Sequence, residues 1–236
     1  MNLRVRYCKI GKVRFVSHRD GARLWERALR RVALPVAYTE GFTPRPKLGF
    51  GLALPTGAES VAEYIDIDLV KGAEVDPGDS ALIDAMSAAL PVGLDVALIV
   101  ERDPSANSLQ EDVTSTTWEL SGACIESEDL ETAARRLLDA DQVLVDRVRK
   151  GRSNIDDVRP LIRAFDADPT GTKLVAELVT IGRALRPSEL ASAALPGIDA
   201  LGIRVLRTHQ WIEHDGDKRE VLPLPVATAH ARESSA

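Results

Sequence analysis

Residues 3–35, LRVRYCKIGKVRFVSHRDGARLWERALRRVALP, pass from strand to helix within one stretch, and reading that passage decides the fold. Leu3 to Tyr7 and Val13 to Val16 alternate apolar with charged residues at the period of a strand. Gly11 between them predicts a tight turn, or a bulge in one long strand. Ser17-His18-Arg19-Asp20 then gives a helix start: a serine that can accept from free backbone N–H groups, with a carboxylate three residues on. The helix is expected from about His18 to about Ala33, with Ala22, Trp25, Leu29 and Val32 as its apolar face and Pro35 as its stop.

Further along, Leu48 to Leu54 and Ala62 to Leu69 read as strands, Asp79 to Leu90 as a helix and Leu94 to Val100 as a strand. The order is β-α-β-β-α-β. The breaker-rich run Asp103-Pro104-Ser105-Ala106-Asn107-Ser108 marks a boundary. Beyond it the plan repeats: strand 116–124, helix 129–140, strands 143–149 and 173–181, helix 187–195 and strand 204–211, with 155–165 as a further possible strand. The expectation is an α+β protein of two tandem ferredoxin-like halves. Its parts are a basic domain at 1–103, a linker at 104–112, a second domain at 113–213 and a charged, flexible tail at 214–236.

The 44% hydrophobic and 28% charged content is that of a globular chain. No apolar stretch approaches the roughly 20 residues of a membrane helix, and the first residues lack the apolar core of a secretory signal. A cytoplasmic protein that makes no membrane contact is expected. Cys8 and Cys124 are the only cysteines and lie far apart, so their thiolates build neither a zinc site nor an iron–sulfur cluster. They read as reduced core residues. No Walker loop, dinucleotide fingerprint, GxSxG or HExxH occurs, and no cofactor is expected.

A net charge of −6 argues against a nucleic-acid partner when taken over the whole chain, but residues 1–50 carry twelve cations against three anions, a local +9. The other 186 residues therefore sum to −15. Five of the cations, Arg19, Arg23, Arg27, Arg30 and Arg31, recur at helical spacing along one side of the predicted helix. Guanidinium presents a planar fork of donors that matches phosphate oxygens, and Asp20 and Glu26 cannot neutralise five of them. The residues leave open whether this row meets a polyanion or pairs with the acidic second half.

In the loop Glu40-Gly41-Phe42-Thr43-Pro44-Arg45-Pro46-Lys47, prolines on either side of Arg45 stiffen the backbone and present Arg45 and Lys47 at low entropic cost. Phe42 is a candidate for stacking on a base. The run Lys47-Leu48-Gly49-Phe50 is similar to the aromatic strand of RNA-recognition sheets, but the spacing departs by one residue and a second aromatic is missing. With aromatics at only 4%, backbone and shape contacts are expected to outweigh sequence readout. Arg147, Lys150, Arg152, Arg159 and Arg163 form a second basic run, interrupted by Asp146, Asp156 and Asp157. It reads equally as a second phosphate track or a self-paired surface. His18 is the one candidate general base; at a helix start the dipole favours its neutral imidazole, and with Tyr38 and Lys47 it would make a metal-independent RNA-cleaving site.

Residues 17–60, SHRDGARLWERALRRVALPVAYTEGFTPRPKLGFGLALPTGAES, resemble the radical-SAM-linked protein family, a domain of unknown function. The resemblance continues more loosely through IDDVRPLI (155–162) and ALRPSEL (184–190). Ser17, His18, Arg45, Pro46, Lys47, Arg159 and Arg186 are the matching motif positions. Members of that family stand either fused behind a radical-SAM enzyme or free near ribonuclease E/G and ribosomal-protein genes, and this chain is similar to the second kind. It has no three-cysteine cluster motif, so radical chemistry does not carry over. The resemblance implies a non-catalytic companion in RNA processing or modification. Structured RNA of the ribosomal or transfer class is the expected partner, with a radical-SAM enzyme or ribonuclease E/G as protein partners.

Overall fold

The computed structural model describes residues 1–125, 129–149, 152–180, 182 and 184–223. It is a mixed α+β protein whose strands pair mostly antiparallel. Its chain divides into two compact units. The first holds residues 1–56, 60–112 and the described residues from 219; the second holds 57–59 and 113–218.

In the first unit the elements run β1 (Asn2–Lys9), α1 (His18–Arg31), β2 (Leu48–Phe50), β3 (Glu59–Asp68), α2 (Ser80–Ala89) and β4 (Val96–Glu101). Strand β1 lies between β4 and β3, and β2 pairs with β3, so the order is β4-β1-β3-β2. Because side chains alternate along a strand, Leu3, Val5 and Tyr7 of β1 share a face with Ile65 and Ile67 of β3. That face is buried against Trp25, Ala28 and Leu29 of α1 and Met86 of α2. Trp25 meets Tyr7 edge-on at 4.8 Å between ring centroids. Burying side chains of this size stabilises the unit by about 1.5–3 kcal/mol each.

The opposite face of the same strands is polar and equally buried. Arg4 stands across from Asp66, and Arg6 across from Tyr64. Arg6 donates to Glu220 at 2.7 Å and to the carbonyl of Leu222. The sheet therefore has no open aromatic face of the RNA-recognition kind among the described residues. Leu48 and Phe50 pair with Ile67 and Ile65 and pack on the apolar core.

Local alternation misplaces one element here. Residues 13–16 are not a strand: Gly11–Phe15 form a 3₁₀ turn, entered through Gly11 at φ 69°, which buries Val13 and turns Phe15 out. The strand expected over 48–54 stops at Phe50, where the amide of Gly51 closes the pairing on the carbonyl of Tyr64 at 3.0 Å. Residues 104–112 are not bare linker. They end in the short helix α3 (Leu109–Asp112), with Leu109 buried.

The second unit runs β5 (Val113–Ser121), α4 (Leu130–Leu138), β6 (Leu144–Arg149), β7 (Arg152–Asp157), β8 (Ile162–Ala167), β9 (Leu174–Val179), α5 (Pro187–Ala194) and β10 (Arg204–His214). The order is β10-β5-β9-β8, while β6 and β7 pair only with each other as a separate hairpin. Strand 143–149, expected in the main sheet, is thus displaced by β8, whose Ile162 and Phe165 are buried where Leu144 and Ile155 of the hairpin are exposed. Residues 214–220, placed in a tail by sequence, finish β10 and turn at Asp215 and Gly216 into β11 (Asp217–Glu220). The rest of that tail, 224–236, lies outside the described residues.

Cys8 is buried and Cys124 half-buried, and neither is in a disulfide. No helix among the described residues is long and apolar enough to cross a membrane.

Candidate nucleic-acid interface

Helix α1 is built to show two chemically different sides. Ser17 caps it, accepting from the amide of Asp20 at 3.2 Å and donating to the Asp20 carboxylate at 2.7 Å. This hydrogen bond, aided by Arg23, holds the Asp20 carboxyl below the usual carboxylate range against the small opposing effect of burial. At about 100° per residue, Arg19, Arg23, Arg27, Arg30 and Arg31 fall within an arc of about 120°, centred opposite Trp25, Ala28 and Leu29. All five are exposed.

Few of these charges are cancelled. Arg23 reaches Asp20 at 3.3 Å, but between exposed groups water screens such a pair and it neutralises little. Arg27 and Arg31 donate to the backbone carbonyls of Arg23 and Ala89, which leaves their charge unbalanced. Among the described residues Arg19 and Arg30 have no hydrogen-bond or ion-pair partner. The N-terminal patch is nevertheless smaller than the charge count implies, because Arg4, Arg6 and Lys9 are buried within the unit.

The loop after α1 is closed at its base and open at its tip. Tyr38 bridges Pro46, the amide of Thr39 donates to the carbonyl of Arg45 at 2.9 Å, and the amide of Arg45 donates to Thr39 Oγ1 at 3.0 Å. Arg45 and Lys47 are exposed, and Phe42 is fully so. Two further rings in the same block of sequence are exposed, neither of them read above as a stacking surface. Phe15 is 62% exposed with the Arg14 guanidinium 4.6 Å over its ring, and Tyr38 is 48% exposed. Reading 13–16 as a strand hides Phe15; the glycine at position 11 is the signal that could have found it. Among the described residues, the three exposed aromatic side chains all fall within the cationic first 50 positions.

His18 lies at the start of α1, exposed, its ring edge-on to Phe50 at 5.2 Å between centroids. It makes no side-chain hydrogen bond among the described residues, and in particular none joins it to Tyr38 or Lys47. A cleft of about 460 Å³ opens beside the pair, bounded by Gly49, Asp66, Arg102 and Leu109. A smaller cavity of about 40 Å³ lies on its other side against Trp25. Asp66 is held by Arg4 and by Arg102 Nη1 at 3.3 Å.

The described side chains of the second basic run, Arg147, Arg159 and Arg163, are all engaged within the protein. Arg147 is 4% exposed and donates to Glu189 at 2.7 Å, with Asp156 at 3.6 Å. Arg159 donates through Nε and Nη2 to the carbonyl of Leu138, satisfying the last turn of α4, and through Nη1 to the carbonyl of Ile162. Arg163 pairs with Glu177 and Glu213. Lys150 lies outside the described residues, as does the side chain of Arg152. Arg186, a matching motif position, occupies the N-cap of α5, where its amide donates to Glu189 at 3.0 Å.

No match was found among curated proteins. One family model, described as "Uncharacterized protein conserved in bacteria (DUF2344)", matches residues 2–187, from the start of β1 through the arginine helix and the Pro-Arg-Pro loop to the first residue of α5. A match over that much of the sequence places it: the chain belongs to the DUF2344 family of proteins conserved in bacteria.

Proposed function

We propose that this protein is a non-catalytic, cytoplasmic RNA-binding accessory factor in RNA processing or modification. It would bind structured RNA of the ribosomal or transfer class through α1 and the 38–47 loop. The observation that carries the reading is the arginine arc: five exposed guanidiniums on the side of α1 away from its core, met on the helix by only Asp20 and Glu26. Exposed Arg45, Lys47 and three exposed aromatic rings in the same block give it the chemistry of a backbone-tracking, base-contacting surface. We further read each unit as a ferredoxin-like half, the second carrying the β6–β7 hairpin as an insertion. The antiparallel orders β4-β1-β3-β2 and β10-β5-β9-β8 support that reading.

The resemblance to radical-SAM-linked proteins makes a radical-SAM enzyme or ribonuclease E/G the natural protein partner, docked through the same cationic face if RNA is not its ligand. The nuclease reading has less to stand on, since His18 has Phe50, and neither Tyr38 nor Lys47, as its neighbour. The experiment is RNA binding measured across a salt series. Affinity that falls steeply with salt supports the proposal. No binding, or salt-independent binding, overturns it, and capture of a protein partner that survives nuclease treatment then favours docking.

A further inference from the structure

Strand β2 is only three residues long, and the three exposed aromatic rings of the first unit, Phe15, Tyr38 and Phe42, all precede it in sequence. At its start lie Lys47 and the Tyr38–Pro46 bridge; at its end Phe50 meets His18, three residues after Phe15. Between them runs the 460 Å³ cleft. Its walls are apolar at Leu48, Phe50 and Leu109, and polar at Asp66 and Arg102. Arg102 directs Nη1 at Asp66 and Asp68, and its Nε and Nη2 have no protein partner among the described residues.

We propose that this cleft holds one unpaired base of an RNA strand, with neighbouring bases stacked on Phe15 at one end and on Tyr38 and Phe42 at the other. The proposal rests on the RNA reading above and names its substrate class: unpaired loops or ends of a structured RNA. A nucleobase is a flat apolar face with a polar edge, which is the character of this cleft. Arg102 Nη2 supplies a donor for a base carbonyl or ring nitrogen. Arg45 and Lys47 supply cations for the flanking phosphates. A duplex cannot use the cleft, because its bases are stacked and paired, whereas bases of single strands can be splayed onto aromatic rings. A free nucleotide would leave the three rings outside the cleft without a role.

Gly49 provides the cleanest test. A Cβ there meets only the Asp66 Cβ, at an ordinary 3.5 Å, so the strand accepts the first carbon of a Gly49→Leu side chain at the wall of the cleft. The purified protein is titrated with a single-stranded RNA of about ten nucleotides and with its duplex. The single strand is expected to bind more tightly. Gly49→Leu, and separately Phe15→Ala with Tyr38→Ala and Phe42→Ala, are each expected to weaken it about tenfold while duplex binding stays as in the parent. Equal binding of strand and duplex, or unchanged single-strand affinity in both variants, overturns the cleft assignment and leaves arginine-driven binding standing. Failure of the parent protein to bind either RNA overturns both.

Discussion

Arg4 and Asp66 stand directly opposite each other in the β1–β3 register, and the guanidinium gives the carboxylate two hydrogen bonds, from Nε at 2.7 Å and Nη2 at 2.9 Å. Both side chains are almost wholly buried. Removing one partner strands the other charge without water, so Asp66→Ala is expected to destabilise the first unit by about 3–5 kcal/mol. A denaturant titration of the variant reads this directly as a lower midpoint. An unchanged midpoint would mean that Arg4 finds solvent.

The arginine arc makes the opposite prediction. Arg23, Arg27 and Arg45 are exposed, so replacing all three with Ala should leave stability within about 0.5 kcal/mol per site. RNA affinity should fall, and the slope of log K against log salt should flatten by about 0.7 for each phosphate of a single strand that the variant no longer neutralises. A variant that binds weakly with the parent's slope would show that these residues do not touch phosphate.

The contrast between those two sets of arginines marks how far the sequence can be read. Helix α1 is legible because its determinants are local: Ser17 and Asp20 cap it, and the 3.6-residue period separates Trp25 and Leu29 from the arginines. Arg4 and Arg6 look equally cationic, yet their burial depends on Asp66, 62 residues away, and Glu220, 214 away. Alternation shows that they share a face of β1 and says nothing of what covers it. The same limit misplaces residues 143–149. They do form a strand, but only the pairing of β8 with β9 shows that the sheet position is taken by Ile162–Ala167. The cleft is not legible at all, because His18 and Phe50 become neighbours only when β2 meets α1.

Arg147 separates a cationic residue from a cationic surface. Buried between Glu189 and Asp156, it holds the β6–β7 hairpin to α5. Arg147→Ala is expected to cost about 3–5 kcal/mol by leaving those carboxylates uncompensated. RNA affinity at a temperature where the variant is folded should equal the parent's. A selective loss of RNA binding with stability intact would restore the second track.

In the turn between β8 and β9, one carboxylate organises the backbone. Asp168 accepts from the amides of Thr172 and Lys173, each at 2.8 Å, and from the hydroxyl of Thr170. The Thr170 hydrogen bond foremost, with those amides and against slight desolvation, lowers its pKa from the ordinary 3.8 to about 2. The ionised form is the one that is bonded, so the folded protein releases this proton more readily than the unfolded chain does. Its contribution to stability is therefore complete above pH 3.8 and fades as pH falls toward 2. The amide shifts of Thr172 and Lys173, followed by NMR down an acid series, should move together with a midpoint near 2. Asp168→Asn keeps an acceptor oxygen but removes the titrating proton, and should abolish that transition. A midpoint at the ordinary aspartate value would show that the turn is shaped by Gly171 and the strand pairing without the carboxylate.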